Sequence, residues 1–385
     1  MQKLTKTALL SVSLLVVSGG AIAGNVPAIM ADYPAINHTL VELLTTIPSL
    51  MIVMTILFSH KLARRIGYKQ TVQLGLALVF IAGVLPVFTK SFSLLFISRL
   101  LFGVGIGLFN PLLYSFSGNL YKGRELSSVI GMQSSFEGIG GMLMTFSVGQ
   151  LLLIDWRASF FVYALALPIL ILFTLFVPKI SFASQQEKIH VKSDQITRAV
   201  WGYVVLLSIV VTIYMSMAVK ITSLLLDKGI GDATDGSNLL ALVGLGAMIA
   251  GIIFGRLVVS LKHWTLPTAF ASLALAMFLI AAASDMFTAS LAAVIGGLSF
   301  RTFIPYLFNA VNQQVAHSEK NTSILLIAFN LGTAFAPVTI ALFQRIFPVL
   351  ENAGLFIGEG IVMFLLAVGA IVFKGKETRS APEEN

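Results

Sequence analysis

The chain has 385 residues, 57% hydrophobic and only 11% charged, where a soluble domain runs at roughly a half and a quarter; lipid must therefore be the solvent for most of its surface. It contains no cysteine, which excludes disulfides and thiol-ligated metal sites, and its five histidines form no metal-spaced pair. The net charge of +8 comes without a basic helix face or an aromatic-interleaved patch, so nucleic acid is not an expected partner.

Apolar runs of about 20 residues, the length that crosses a bilayer, recur twelve times. They fall at 7–29, 40–59, 69–88, 92–115, 127–152, 158–177, 200–226, 237–260, 264–283, 287–313, 322–344 and 354–373. Lys3 and Lys6 ahead of a run that closes on Ala21-Ile22-Ala23 imitate a cleaved signal peptide. The apolar character continues through Val26-Pro27-Ala28-Ile29-Met30, however, and removing this span would reverse the sidedness of every later loop.

That sidedness follows from the basic residues. With the N-terminus in the cytoplasm, the cytoplasmic set is Lys3, Lys6, Lys61, Arg64, Arg65, Lys69, Lys122, Arg124, Lys179, Lys188, Lys192, Arg198, Arg256, Lys262, Lys320, Lys374, Lys376 and Arg379, 18 of the 25. Lys90, Arg157, Lys228 and Arg345 fall outside, and Arg99, Lys220 and Arg301 lie within spans. The positive-inside rule then puts both termini in the cytoplasm. Trp156, Trp201 and Trp264 sit at span ends, where tryptophan anchors to the interface.

The longest polar interval separates spans six and seven. It divides the chain into a six-helix bundle over 1–178, a cytoplasmic linker over 179–199, a second bundle over 200–374 and a cytoplasmic tail over 375–385. A shift of about 195 positions brings Gly103 near Gly297, Pro111 near Pro305 and Leu126-Ser127-Ser128 near Asn321-Thr322-Ser323, the pattern of duplicated helical halves.

Three local motifs accompany this plan. The loop after span two reads His60-Lys61-Leu62-Ala63-Arg64-Arg65-Ile66-Gly67-Tyr68-Lys69; span four carries Arg99, Gly103, Gly105 and Gly107; span five carries Gly140 and Gly141, followed by Asp155-Trp156-Arg157. On these residues the chain resembles the major facilitator superfamily, with its proton-coupled bacterial drug and metabolite exporters as the nearest likeness. The loop matches that family's G-x-L-A-D-R-x-G-R-K at Leu62, Ala63, Arg65, Gly67 and Lys69, with Arg64 in place of the Asp that helps lock the cytoplasmic side. Span five departs from the antiporters' G-x-x-x-G-P-x-x-G-G, since Met132, Phe136 and Glu137 replace its other Gly, Gly and Pro. The resemblance implies an all-α membrane protein of twelve transmembrane helices in two pseudo-symmetric six-helix bundles. It also implies a monomer in the bacterial inner membrane, with spans one, four, seven and ten lining a central cavity and Leu62 to Lys69 forming a conformational gate.

Helical spacing then groups the polar residues. Arg99, Gly103, Gly107, Asn110 and Tyr114 share one face; Gln133, Glu137, Gly140, Met144 and Ser147 share another; Thr212, Ser216, Lys220 and Ser223 a third; Arg301, Pro305, Phe308 and Asn312 a fourth. Under the resemblance Asn110, Tyr114, Gln133, Ser216, Lys220, Arg301, Phe308 and Asn312 are the candidate substrate-cavity residues, and Glu137 with Arg99 the candidate proton-coupling pair. Duller readings stand beside these. Ser134, Gly138, Gly141 and Thr145 read as helix packing, Arg99 either acts directly or bonds the backbone of a neighbouring helix, and Lys220 either faces the cavity or snorkels outward. Asp32 and Glu42 read as solvated at the first outer turn, and Glu359 as solvated at the interface. Glu137 and Arg301 lie too deep for that.

No Walker-type loop, nucleophile–base arrangement or metal cluster is present, so neither an enzyme nor a cofactor is expected. The expected function is proton-coupled efflux of a small organic molecule by alternating access. Uptake or exchange of an anionic metabolite, favoured by the three buried cations, and flipping of lipid headgroups are the alternatives.

Overall fold

A computed structural model describes residues 2–179, 198–314, 318–346 and 352–377, and every element among them is helical. The chain begins with α1 (Gln2–Ser13), a 3-10 segment (Ser18–Asn25) and α2 (Val26–Asp32), then α3 (His38–Ile66), α4 (Tyr68–Phe88), α5 (Phe92–Leu120) and α6 (Gly123–Leu152). A second 3-10 segment (Ala158–Leu165) runs into α7 (Ala166–Phe176). There follow α8 (Arg198–Lys228), α9 (Ala233–Leu261), α10 (Thr265–Ala282), α11 (Met286–Gln314), α12 (Ser318–Ile346) and α13 (Asn352–Glu377). Ten of these spans are long and apolar enough to cross a membrane, or eleven when the bent first pair counts as one. The 30-residue α6, at the place of the fifth expected span, is not among them, because Gln133, Ser135 and Glu137 make its middle polar for a spanning helix.

One buried cluster runs from Ala8 to Val177 and a second from Leu207 to Ala367. Each half repeats the same neighbours: α5 lies between α3 and α4, and α11 between α9 and α10. Glycine permits the closest of these approaches, because a Cβ on Gly103 would run into Pro48 O of α3, and one on Gly297 into Val243 O of α9. The span-four glycines are therefore helix-packing positions. In α6 the assignment shifts: the glycine pressed against another backbone is Gly140, on Leu14, while a Cβ on Gly138 would meet nothing within 4 Å.

The first span differs from the straight 7–29 helix that its apolarity suggests. It bends by 43° between Ser13 and Ser18, next to the Gly19-Gly20 pair, and a break in lipid needs partners for the backbone groups it disturbs. Tyr163 Oη donates to Ser18 O at 3.0 Å, and Arg99 Nη2 donates to Gly19 O. A second irregularity is handled by the same arginine. Pro48 lies inside α3 and has no N–H for the carbonyl four residues back; that carbonyl, Leu44 O, accepts from Arg99 Nε at 3.0 Å.

Alternating chain directions place the α3–α4 and α5–α6 turns, with Arg64, Arg65, Lys69 and Lys122, on one face of the molecule, termed here the basic face. The turns at Tyr33–Asn37, Thr89–Ser91, Leu153–Arg157 and Gly229–Asp232 lie on the opposite face. In the α3–α4 turn Gly67 has φ 100°, a conformation open to glycine. Lys69 Nζ donates to Thr174 O and Val177 O at 2.7 and 2.6 Å, tying α4 to the end of α7 within its own half. At the start of α11 the amide and hydroxyl of Thr288 hold the Asp285 carboxyl below the usual carboxylate range.

The two exposed positions Gln70 and Ile154 report the topology. In this cysteine-free chain, Gln70→Cys and Ile154→Cys are expected to react with an impermeant maleimide from opposite sides of the membrane. Labelling of both from one side would overturn the arrangement of turns.

Candidate functional site

The site is shaped by how the two halves meet. Helices α6 and α9 run antiparallel across the division and touch on the side away from the basic face. There Gly149 lies against Ser237, Ser237 Oγ donates to Thr145 O at 2.9 Å, and Gly244 lies against Met142. Towards the basic face the same two helices part: a Cβ added to Gly131 or Gly138 of α6, or to Gly251 or Gly255 of α9, would meet nothing within 4 Å. The contact between α3 and α12 follows the same pattern, with Thr46 Oγ1 donating to Ala334 O at 3.1 Å. The central space is thus closed on the opposite face and open towards the basic one.

Glu137 lies on α6 in the parted region, five residues from the Met142 contact and so roughly 7.5 Å along the axis. It is half-buried, and Tyr114 Oη of α5 donates to its Oε1 at a loose 3.4 Å. From the other half, the charge of Arg301 on α11 reaches both Glu137 and Tyr114 without a direct ion pair to the carboxylate among the described residues. Beside Arg301, Tyr214 of α8 stacks flat on Phe300 with ring centroids 3.6 Å apart, and Phe329 of α12 adds a third ring. Asn110 is half-buried and Tyr114 exposed, both on α5. The arrangement offers an anion from one half and a cation from the other, around a space open to one side, with the Tyr214–Phe300 stack packed into the core of the second half.

Gln133 lies one turn before Glu137 and is 1% exposed, with neither amide atom hydrogen-bonded. Phe308 and Asn312 lie on α11, where their side chains fall outside the described residues, as do most of the 179–199 linker and the end of the 375–385 tail.

Five expected assignments need correction. Arg99 does not pair with Glu137. Its guanidinium is fully buried between Leu44 O and Gly19 O, with its carbon 4.6 Å from the Phe102 ring centroid and 5.4 Å from that of Tyr163. The backbone-bonding alternative is the one realised.

Lys220 neither snorkels nor stands free in the cavity. Its Nζ meets Glu42 Oε1 of α3 at 2.6 Å, joining the two halves on their closed side. Glu42, expected in solvent, is 1% exposed. Its near neighbours Thr45 and Thr46 are buried too, and that threonine stripe was the available hint. Asp32 does stay half-exposed but accepts from Trp156 Nε1 at 2.8 Å and pairs with Arg157 at 2.9 Å.

Ser216 belongs to neither cavity nor solvent. It is fully buried, and its Oγ lies 2.5 Å from Glu359 Oε2 of α13. Glu359, expected at the interface, is sealed at 7% exposure.

The loop residues Arg64 and Arg65 are exposed and Ala63 is buried. Leu62 and Arg65 line a shallow open depression with Phe58 and Lys61.

A protein-family model described as "Major Facilitator Superfamily" matches residues 8–337. No curated protein matches the chain. Among solved structures, a POT family transporter in complex with a thioalcohol-conjugated peptide aligns with a TM-score of 0.73 at 14% identity, covering 96% of each chain. Another POT family transporter, in complex with 5-aminolevulinic acid, aligns at 0.71 and 14% identity with the same coverage. The xylose transporter XylE from E. coli, in an inward open conformation, aligns at 0.72 and 15% identity over 96% of this chain and 95% of its own. At such identities the likeness is one of fold.

Proposed function

The chain belongs to the major facilitator superfamily, and from that premise we propose that it exports a small organic molecule in exchange for protons. The two halves rock about the central space, which faces the cytoplasm when open to the basic face; the membrane is the bacterial inner membrane and both termini are cytoplasmic. The observation that carries the proposal is Glu137, held by Tyr114 in one half and facing Arg301 of the other across the division.

The physical argument is one of compensation. While Arg301 stands opposite, the carboxylate has a counter-charge. When rocking moves Arg301 away, an unpaired charge is left in a low-dielectric wall, and binding a proton removes that cost. A cationic substrate would do the same, so substrate and proton compete for one carboxylate, which is antiport.

The anion-uptake alternative loses its main support. It rested on three buried cations, but Arg99 is taken by backbone carbonyls and Lys220 by Glu42. Arg301 then remains, and Glu137 opposes it.

The test uses everted vesicles with an imposed pH gradient and a cationic dye such as ethidium. Glu137→Gln is expected to lower gradient-driven dye flux at least tenfold while dye binding persists, because the amide keeps the shape and loses the proton. Undiminished uphill flux in this variant would exclude Glu137 as the coupling group.

A further inference from the structure

A second buried carboxyl lies outside the central space. Glu359 sits between Gly358 and Gly360, and these glycines admit rings from two neighbouring helices: Phe343 of α12 packs on Gly358 and Phe278 of α10 on Gly360. The carboxyl is thereby closed off from lipid and turned towards α8, where Ser216 is its hydrogen-bond partner.

The proton inventory at this contact is decisive. Ser216 Oγ lies 2.6 Å from Ile213 O and 2.5 Å from Glu359 Oε2. A serine hydroxyl has one proton and a backbone carbonyl can only accept. If Glu359 were ionised, the one serine proton would have to serve two acceptors, Ile213 O and Glu359 Oε2. If Glu359 carries a proton, both contacts are made: the carboxyl donates to Ser216 Oγ, and Ser216 donates to Ile213 O.

The surroundings agree with a neutral group. From α10 no charged residue is available over Thr265–Ala282. On α12 the charge at that end is Arg345, exposed in the last turn. On α8 Tyr214 is turned to Phe300, and the next charge is Lys220, one turn beyond Ser216. No ion pair to Glu359 is formed among the described residues.

Lys220 connects this pocket to the division between the halves. Positions 216 and 220 are neighbours on a helix surface, roughly 6 Å apart along the axis, and a helical side chain leans back over the preceding turn. In this state the ammonium is engaged by Glu42 of the other half. When the opposite face opens and Glu42 departs, Glu359, the hydrogen-bond partner of Ser216 one turn back on the same helix, is the counter-charge this pocket can offer Lys220.

We propose that Glu359 is a proton-binding site, loaded while the Glu42–Lys220 pair is closed and emptied when Lys220, released by Glu42, turns to it. In the transfer the carboxyl O–H bond breaks, its proton leaves to water admitted by the opening face, and an ion pair with the ammonium replaces it. The site is separate from Glu137 and holds whichever molecule is carried.

Infrared spectroscopy of the purified full-length protein in lipid tests this without a substrate. The carbonyl stretch of a protonated carboxyl should be present at neutral pH, absent in Glu359→Gln, and retained in Glu137→Gln. It should fall several-fold in Glu42→Gln, where Lys220 has lost its partner, and return in Glu42→Gln with Lys220→Met. A band untouched by Glu359→Gln would overturn the proton assignment, and a band undiminished in Glu42→Gln would overturn the link to the pair. Should Glu359→Gln fail to fold, Ser216→Ala is the second variant: removing the acceptor should shift the band, and an unshifted band would refute the site. A proton site lost only in Glu137→Gln would leave the central reading standing and remove this one.

Discussion

Glu42→Gln should open the closed face of the protein. The Glu42–Lys220 contact joins α3 to α8 across the two halves, with 2% and 13% of the respective side chains exposed. Breaking a buried pair by removing one partner costs about 3–5 kcal/mol, because the remaining charge is stranded. Here the cost falls on the closed state alone, since separation of the halves lets water reach the ammonium. That is a shift of roughly two to three and a half orders of magnitude in the balance between states.

A cysteine at Thr46, buried beside Ala334 O when the face is closed, should then react faster with an impermeant maleimide by a similar factor. Lys220→Met in the Glu42→Gln background removes the stranded charge and should restore slow labelling, giving a double-mutant cycle with strong coupling. Equal labelling in the parent and the single variant would show that the pair does not hold the face shut.

The second large effect is on assembly. Arg99→Ala should deplete the protein from the membrane and lower the melting temperature of what remains. Two carbonyls, Leu44 O and Gly19 O, lose their donor, at about 1–3 kcal/mol each. A void opens against Phe102 and Tyr163 in addition. A charge inside a span costs roughly 2.5–3.5 kcal/mol on insertion, but that term is present whether or not the inserted helices have packed, so its removal does not rescue the packed state. These losses are large against a typical stability of about 5–15 kcal/mol. Arg99→Lys should recover part of the loss, since an ammonium lacks the planar fork that spans two carbonyls on different helices. Wild-type abundance and melting temperature in Arg99→Ala would contradict the role.

The distinction between the two arginines shows where sequence reasoning stopped. Arg99 and Arg301 look alike in sequence: each is a charge in an apolar span with glycines or a proline at helical spacing. What separates them is their surroundings. Pro48 in α3 and the Gly19-Gly20 break in the first span leave carbonyls that only a long, forked donor from α5 can reach, whereas Arg301 faces open space between the halves. Both irregularities were visible as residues, but the pairing of either with position 99 depends on which helices lie together.

The carboxylates divide similarly. Glu137 was legible because its depth in a span made solvation implausible. Glu42 and Glu359 lie closer to span ends, where solvent is the ordinary partner, and distance from a span end does not reveal whether another helix covers the group. For Glu42 the cover comes from the second half of the chain. For Glu359 it comes from rings admitted by the flanking glycines.

By itself the sequence determined an all-helical membrane fold, with ten or eleven of the expected spans among the described residues, and the gathering of basic turns on one face. These follow from hydropathy, period and charge, which are local or additive along the chain. The tertiary structure alone decided which buried charges are paired, which carbonyls need a donor and which side of the central space is closed. Those depend on contacts between distant segments, 178 residues apart for Lys220 and Glu42 and 288 for Thr46 and Ala334, and in a low-dielectric interior a single such contact decides whether a charge is structural or free to act.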